Sequence, residues 1–456
     1  MMRRPLSIGA LALLLSACAT SPSSQKDTLS AAPAAWRADA PPGDVVQAGW
    51  WRAFGDPRLT AAVERALAGN TDLAVAEARI REAEALAAQA RSALLPSLTG
   101  SLSAQDARSL SAATGRASTS TTVQPQLQAA YEVDLWGRVR ASDNAARAAL
   151  QASRYGRDAA ALSVAAATAR AYVQLASLDA QSAVARDTLA SRNESLRVAT
   201  QRAKAGYTSR LELAQAEVEQ RAAARRIPEL ELAVRQQENA LRLLTGELPG
   251  AVERSRFDTL VVPTPAPGLP SGLLARRPDI AQSEAELLSA DATFASERAA
   301  LLPQVNLTAS IGRLFVEHID PVTVWNMGGS LLAPLFDGGR LAARADAAEA
   351  RRDQAAWAYR AVVLNAFAET ENALEGVVRL QSQSTEATAQ RAAVAEALKH
   401  ARNRYRAGYA SYLEELDAQR GLFNSEVELI QLRQSRLLNA VTLYQALGGG
   451  WSAPAG

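Results

Sequence analysis

The sequence predicts a mainly α-helical fold that also carries membrane β-structure. Long coiled-coil hairpins form an α-helical barrel, and four transmembrane β-strands per chain close as a twelve-stranded β-barrel in a homotrimer. Three observations carry this reading. A strand pair with one apolar and one polar, largely uncharged face occurs twice, each pair is followed by a very long helical stretch that begins free of proline, and the whole order is an internal duplication.

The N-terminus comes first. Arg3 and Arg4 are a basic start, Leu6 to Leu15 an apolar stretch, and Leu15-Ser16-Ala17-Cys18 a small-residue cleavage site, so residues 1–17 read as an export signal. The apolar stretch is too short to remain in a membrane as a spanning helix. The arrangement resembles the bacterial lipoprotein signal, in which Cys18 becomes the first mature residue and is acylated, by palmitate among other chains. Ala19 after it is compatible with sorting to the outer membrane. Residues 18–57, rich in Ser, Ala and Pro over Ser21 to Pro42, read as a tether from that lipid. Cys18 is the only cysteine, which excludes an intramolecular disulfide and a thiolate zinc cluster.

The first repeat spans 58–256 and the second 276–450, with a Pro-rich linker at 257–275 and a tail at 451–456. In the first, Leu94-Leu95-Pro96 introduces a strict period-two run in which Leu98, Leu102 and Ala104 share one face. In the second, Leu301-Leu302-Pro303 introduces Val305, Leu307, Ala309 and Ile311 on one face, against Asn306, Thr308 and Ser310 on the other. Return strands follow, with Val123, Leu127, Ala129, Tyr131, Val133 and Leu135 in the first hairpin (about 97–135). Trp325, Met327, Leu331, Ala333 and Leu335 form the matching row in the second (about 304–336). A tilted strand of roughly 9 to 11 residues crosses a bilayer's hydrocarbon core, and these runs suffice. Pro125 and Pro334 run against the pattern, because proline deletes a ladder donor. A pair of soluble hairpins packed by one face on a protein core is the alternative for these strands.

Long helices follow at about 138–246 and 340–447. The stretches from Gly137 to Gly206 and from Gly339 to Gly408 contain no proline, and at 1.5 Å per residue each makes a helix of roughly 100 Å. Val363, Phe367, Leu374 and Val378, like Leu189 and Leu196, recur at coiled-coil spacing. Each stretch ends in a matching turn, Lys204-Ala205-Gly206-Tyr207-Thr208-Ser209 and Arg406-Ala407-Gly408-Tyr409-Ala410-Ser411, where glycine supplies the left-handed stop and serine caps the returning helix. Helix starts recur too, Asn70-Thr71-Asp72-Leu73 against Arg277-Pro278-Asp279-Ile280.

Four strands cannot close a barrel, and open edges in lipid would leave backbone groups unpaired at several kcal/mol each. Oligomerisation follows, and three copies supply enough strands for a water passage.

Several motifs, taken in order, resemble one family over Cys18 to about Gly448. They are Leu15-Ser16-Ala17-Cys18, the two Leu-Leu-Pro strand starts, Asp134-Leu135-Trp136-Gly137-Arg138, Ile227-Pro228-Glu229-Leu230-Glu231 and Arg276-Arg277-Pro278-Asp279-Ile280. Phe336-Asp337-Gly338-Gly339-Arg340, Arg404-Tyr405-Arg406-Ala407-Gly408 and Leu413-Glu414-Glu415-Leu416-Asp417-Ala418-Gln419-Arg420 complete the set. The chain is similar to the TolC-like outer-membrane efflux proteins, in particular the OprM and NodT lipoprotein branch. The resemblance implies a trimer in outer-membrane lipid, a tunnel closed at its periplasmic tip, and passive export once a periplasmic adaptor and an inner-membrane transporter of RND type dock. It assigns the periplasmic gate to Arg404 as the basic partner, Leu413 as the apolar constriction and Asp417 as an acidic ring. Arg202, Leu211 and Gln215 stand at those places in the first repeat. The tip turns Gly206-Tyr207 and Gly408-Tyr409 are the expected adaptor contacts.

Other function classes lack residues. Lys and Arg total 49 against 47 acids, interspersed along helices, which gives no nucleic-acid footprint. The two histidines, His318 and His400, have no neighbour at zinc spacing, and no lysine follows glycine as a phosphate-binding loop requires. No cofactor, metal or enzymatic activity is expected. A lipid-anchored coiled-coil scaffold that never crosses the membrane is the second reading; it explains the signal and helices and leaves the strands unexplained.

Overall fold

A computed structural model describes residues 32–38, 46–110, 112, 115–317 and 319–453. Those from Pro33 onward belong to one compact unit. Cys18, the export signal, most of the tether and His318 lie outside the described residues.

Helix α1 (Pro57–Gly69) begins with proline in its first turn, and its cap Asp56 accepts from the amides of Arg58 at 2.8 Å and Leu59 at 3.4 Å. Helix α2 (Thr71–Ser92) starts the same way on Asn70, which accepts from the Asp72 amide at 2.9 Å. Strands β1 (Ser97–Leu110) and β2 (Ala117–Val133) follow, then helices α3 (Arg138–Lys204) and α4 (Arg210–Leu244). The second half repeats this order after a four-residue helix α5 (Pro270–Leu273). It contains α6 (Pro278–Ala299), β3 (Gln304–Val316), β4 (Ile319–Leu332), α7 (Arg340–Arg406) and α8 (Tyr412–Ala446).

The four strands make one antiparallel sheet in the order β1-β2-β3-β4. Its registers align apolar with apolar, as Leu98 faces Ala129, which faces Ala309, which faces Met327. Leu127 faces Ile311, which faces Trp325, while Gln128, Ser310 and Asn326 line up on the other side. Pro125 is accommodated opposite Leu102 on β2. Strands β2 and β4 stop before Leu135 and Leu335, so the apolar rows expected to run that far continue past the ladder.

Beside the sheet, α2, α3, α6 and α7 pack in that order; farther down, α3 and α4 pair as one hairpin, α7 and α8 as another, and α3 packs on α8. The main core sits between these levels. Leu59, Tyr172, Leu175, Leu241, Leu437 and Val441 are buried there with Trp50 and Phe54. The Trp50 ring stacks on Tyr444 at 5.1 Å. The last residues of the segment 18–57, expected to be a tether, therefore belong to the core. Trp50–Phe54 is a 3-10 turn inside the core, and the indole of Trp36 donates to Gly268 O at 2.8 Å. Aromatic rings bury large apolar areas and outweigh the flexible composition around them. The linker is likewise strapped down, since Phe257, Leu260 and Leu273 are buried and Val261 N donates to Phe54 O at 2.9 Å. In the tail, the indole of Trp451 donates to Asp158 at 2.9 Å.

Candidate functional site

The sheet has two different faces and covers neither with protein. Leu98, Leu102, Leu127, Ile311, Trp325, Met327 and Leu331 are all exposed, Met327 at 80%. A hairpin packed by one face on a soluble core would bury this row, so that alternative fails. Burying such a side chain is worth roughly 1.5–3 kcal/mol, and a contiguous apolar sheet face of this kind calls for another medium. No described helix is long and apolar enough to cross a membrane.

The strands connect to the long helices through two acidic clasps. Asp134 accepts from the amides of Val139 at 3.1 Å and Arg140 at 2.9 Å and from the Arg140 guanidinium at 3.1 Å. Burial alone would raise the Asp134 carboxyl, but these donors outweigh it and hold the group below the usual carboxylate range. Asp337 does the same work in the second repeat, accepting from Gly339 N at 3.0 Å and Leu341 N at 2.9 Å. Trp136 ties the repeats together, its indole donating to Pro303 O at 2.7 Å.

At the far end both helical hairpins stop on a left-handed glycine. Gly206 and Gly408 have φ of 78° and 79°, and the amides of Tyr207 and Tyr409 donate back to Arg202 O and Arg404 O, each at 2.9 Å. These are the left-handed stops expected from the sequence. Tyr207 and Tyr409 project into solvent. Ser209 caps α4 by accepting from Glu212 N at 3.2 Å, whereas Ser411 makes no side-chain cap.

Of the expected gate residues, Leu413 and Asp417 are exposed on α8. Arg404 Nη1 lies 3.3 Å from Glu414, so within one chain its acidic partner is Glu414 and not Asp417. One helical turn separates Leu413 from Asp417, which puts both on one exposed strip.

The residues that join the two tips escaped sequence reasoning. Tyr405 donates to Glu212 across the hairpins, Thr208 donates to the same carboxylate, and the Arg202 guanidinium lies over the Tyr405 ring at 4.8 Å. Burial, reinforced by Glu212, pushes the Tyr405 phenol up to about 12. Beneath it Tyr412, Leu416, Ala199 and Ala216 form a small apolar cluster. Lower still, buried Arg192 donates to Gln419 and lies 3.5 Å from Glu219, which also binds Arg420. One signal was available: Ala203 occupies in the first repeat the place that Tyr405 takes in the second, an asymmetry inside an otherwise matched motif.

Known proteins share this architecture. The family model described as outer membrane efflux protein matches residues 62–247 and 269–449. The pyoverdine export outer membrane protein OpmQ of Pseudomonas aeruginosa is 36% identical over 470 residues, covering 99% of this chain and 98% of that protein. The cation efflux system protein CusC of Escherichia coli is 31% identical over 411 residues, 89% of this chain and 88% of that one. The solved outer-membrane channel OprN superposes with a TM-score of 0.87 at 29% identity, covering 92% of this chain and 97% of its own.

Proposed function

The chain belongs to the outer membrane efflux protein family, and from that premise we propose that three copies form a passive conduit from the periplasm across the outer membrane. The reading of a scaffold that never spans the membrane is set aside, because the matched structures are outer-membrane channels. In the conduit, cargo arrives from an inner-membrane transporter of RND type through a periplasmic adaptor. The adaptor meets the exposed turns Gly206-Tyr207 and Gly408-Tyr409, and Cys18 carries the lipid.

One observation supports the trimer above the others: the sheet and the helices beside it both end in open edges. The sheet presents β1 on one side and β4 on the other, while the adjoining helices run α2-α3-α6-α7 with α2 and α7 outermost. Unpaired strand edges cannot rest in lipid, and copies joined head to tail remove both pairs of edges at once.

The gate is proposed on the second hairpin. Threefold symmetry brings three Asp417 carboxylates near one axis, where like charges repel unless a basic group such as Arg404 offsets them; Leu413, one turn away, narrows the same opening. Opening costs the contacts that hold the tips together, so a docked adaptor gates the tube by competing for them.

Purified native protein reconstituted in planar bilayers tests the conduit. Discrete conductance steps from a heat-modifiable trimer are expected. A water-soluble, elongated monomer after Cys18→Ser, with no conductance from the lipidated form, would refute it.

A further inference from the structure

A proline and two glycines leave a groove in the apolar side of the sheet. The ladder between β2 and β3 steps from Val123 opposite Phe315 to Gln126 opposite Gly312 and skips Gln124 and Pro125, because proline has no amide to donate. Gly312 answers that irregularity, since a side chain there would meet Pro125 O at 2.5 Å. On β1, Gly100 faces Leu127 and brings no side chain to the apolar row. The result is a groove of about 590 Å³ walled by Leu102, Leu127, Ile311 and Thr323. Of the described residues that line it, Arg313 alone is charged.

Arg313 stands where the strand pattern calls for an apolar residue. It shares the face of Val305, Leu307, Ala309 and Ile311, is exposed, and holds its guanidinium 5.9 Å from the Phe315 ring. Among the described residues no carboxylate forms an ion pair with it. Counting from the helix junctions, Gly100 is the fourth residue of β1 and Arg313 the tenth of β3, three before that strand ends at Val316. The groove therefore climbs from the helix side toward the turns, with its cation uppermost. Above it the same face of β1 becomes polar, as Asp106 faces Thr121 and Arg108 faces Thr119. A cation on the lipid face of a barrel is costly at the bilayer midplane and nearly free at headgroup depth. That sets Arg313 among the outer headgroups, with an aromatic ring beside it as at other membrane interfaces.

We propose that each subunit holds one phosphate-bearing glycolipid of the outer leaflet here, with an acyl chain along Gly100 and Leu127 and a phosphate on Arg313. The planar guanidinium fork matches a phosphate through two parallel hydrogen bonds. Thr323, directly opposite Arg313, adds a hydroxyl, and the polar rim above offers a broad sugar headgroup more partners than a glycerol one. The site rests on the sheet spanning the outer membrane with its turns outward, as proposed above, and adds a specific lipid to it. An arginine that only reached for water would accept any headgroup.

Native mass spectrometry of the full-length trimer, delipidated in detergent and resupplied with lipid, tests the site. Lipid A, an acylated and phosphorylated sugar lipid, is compared with its dephosphorylated form and with phosphatidylglycerol. Retention of one lipid A per subunit is expected, several-fold above either comparator. Arg313→Gln removes the cation and Gly100→Leu fills the groove, and each is expected to cut that retention several-fold. A Cβ at Gly100 meets only Leu127 Cδ2, at 3.6 Å, an ordinary contact that leaves the sheet intact. Should leucine impair assembly, Gly100→Ala reads the same groove with a smaller loss. Retention unchanged in these variants, or equal for the dephosphorylated lipid, would overturn the site. Equal retention of phosphatidylglycerol would overturn its assignment to a glycolipid. A conducting trimer without lipid preference thus sinks the site alone, whereas failure of the unsubstituted chain to give any heat-modifiable trimer would sink the conduit with it.

Discussion

The tips of the two helical hairpins have the same backbone and different chemistry. Both stop on a left-handed glycine, both fold an amide back onto an arginine carbonyl, and both expose a tyrosine. Their acids diverge. Glu212 of the first tip holds Tyr405 of the second, while its counterpart Glu414 stays within its own hairpin beside Arg404. Gln215 is neutral where Asp417 is charged. Duplication thus supplied a scaffold, and a handful of side chains made one copy the clasp and the other the proposed gate. The sheet end keeps the opposite rule, with both hairpins preserving one apolar and one polar face and differing mainly in connection length.

The largest effect is expected where the two tips share a core. Leu416→Ala removes a buried side chain from the cluster joining them, at a cost of about 3 kcal/mol. Hydrogen exchange over the turns at Gly206 and Gly408 should accelerate together; protection of either one unchanged would show that the tips open independently.

A clearer separation comes from the acids. Tyr405→Phe deletes a partly buried hydrogen bond to a carboxylate, worth about 1.5 kcal/mol, and should raise single-channel conductance by favouring the open tip. Glu414→Gln breaks an exposed pair worth under about 1 kcal/mol and should change it far less. Equal responses would mean that the two glutamates do the same job and that the asymmetry between the tips is not functional.

Asp417→Ala should raise conductance of the intact trimer, and Gln215→Ala at the equivalent place should not. Unchanged conductance in Asp417→Ala beside intact assembly would remove the acidic ring from the gate.

The smallest effect is in pH. The Tyr405 phenol is raised in the folded chain, so an unfolded or opened tip loses its proton first as pH rises. The contact is therefore at full strength below about pH 10 and weakens between about 10 and 12. Conductance should stay level up to pH 9 and climb above 10, and Tyr405→Phe should flatten the climb; an identical rise in both would assign it elsewhere.

Much of this was legible in the sequence because periodicity reports faces directly. Alternation at Val305, Leu307, Ala309 and Ile311 gave the strand and its apolar side, and the paired glycine turns gave the hairpins. Trp50 and Phe54 sit in the core although they fall within the segment expected to be a tether, because composition is blind to which rings find a core. The Tyr405 clasp was hidden for another reason: Glu212 and Tyr405 lie on different repeats, and pairing across two hairpins leaves no local pattern. Arg404 illustrates the same limit, since a charge on a long helix has several acids within reach and only geometry selects Glu414.

The central claim is that the exposed apolar row of the sheet meets lipid while the alternate row meets water. Environment-sensitive probes on Leu331→Cys and Ser330→Cys, compared in vesicles with acyl-chain and aqueous quenchers, test it most directly. Quenching of position 331 from the lipid and of position 330 from water is expected. Shielding of 331 from both quenchers, or the same response at the two neighbours, would contradict it.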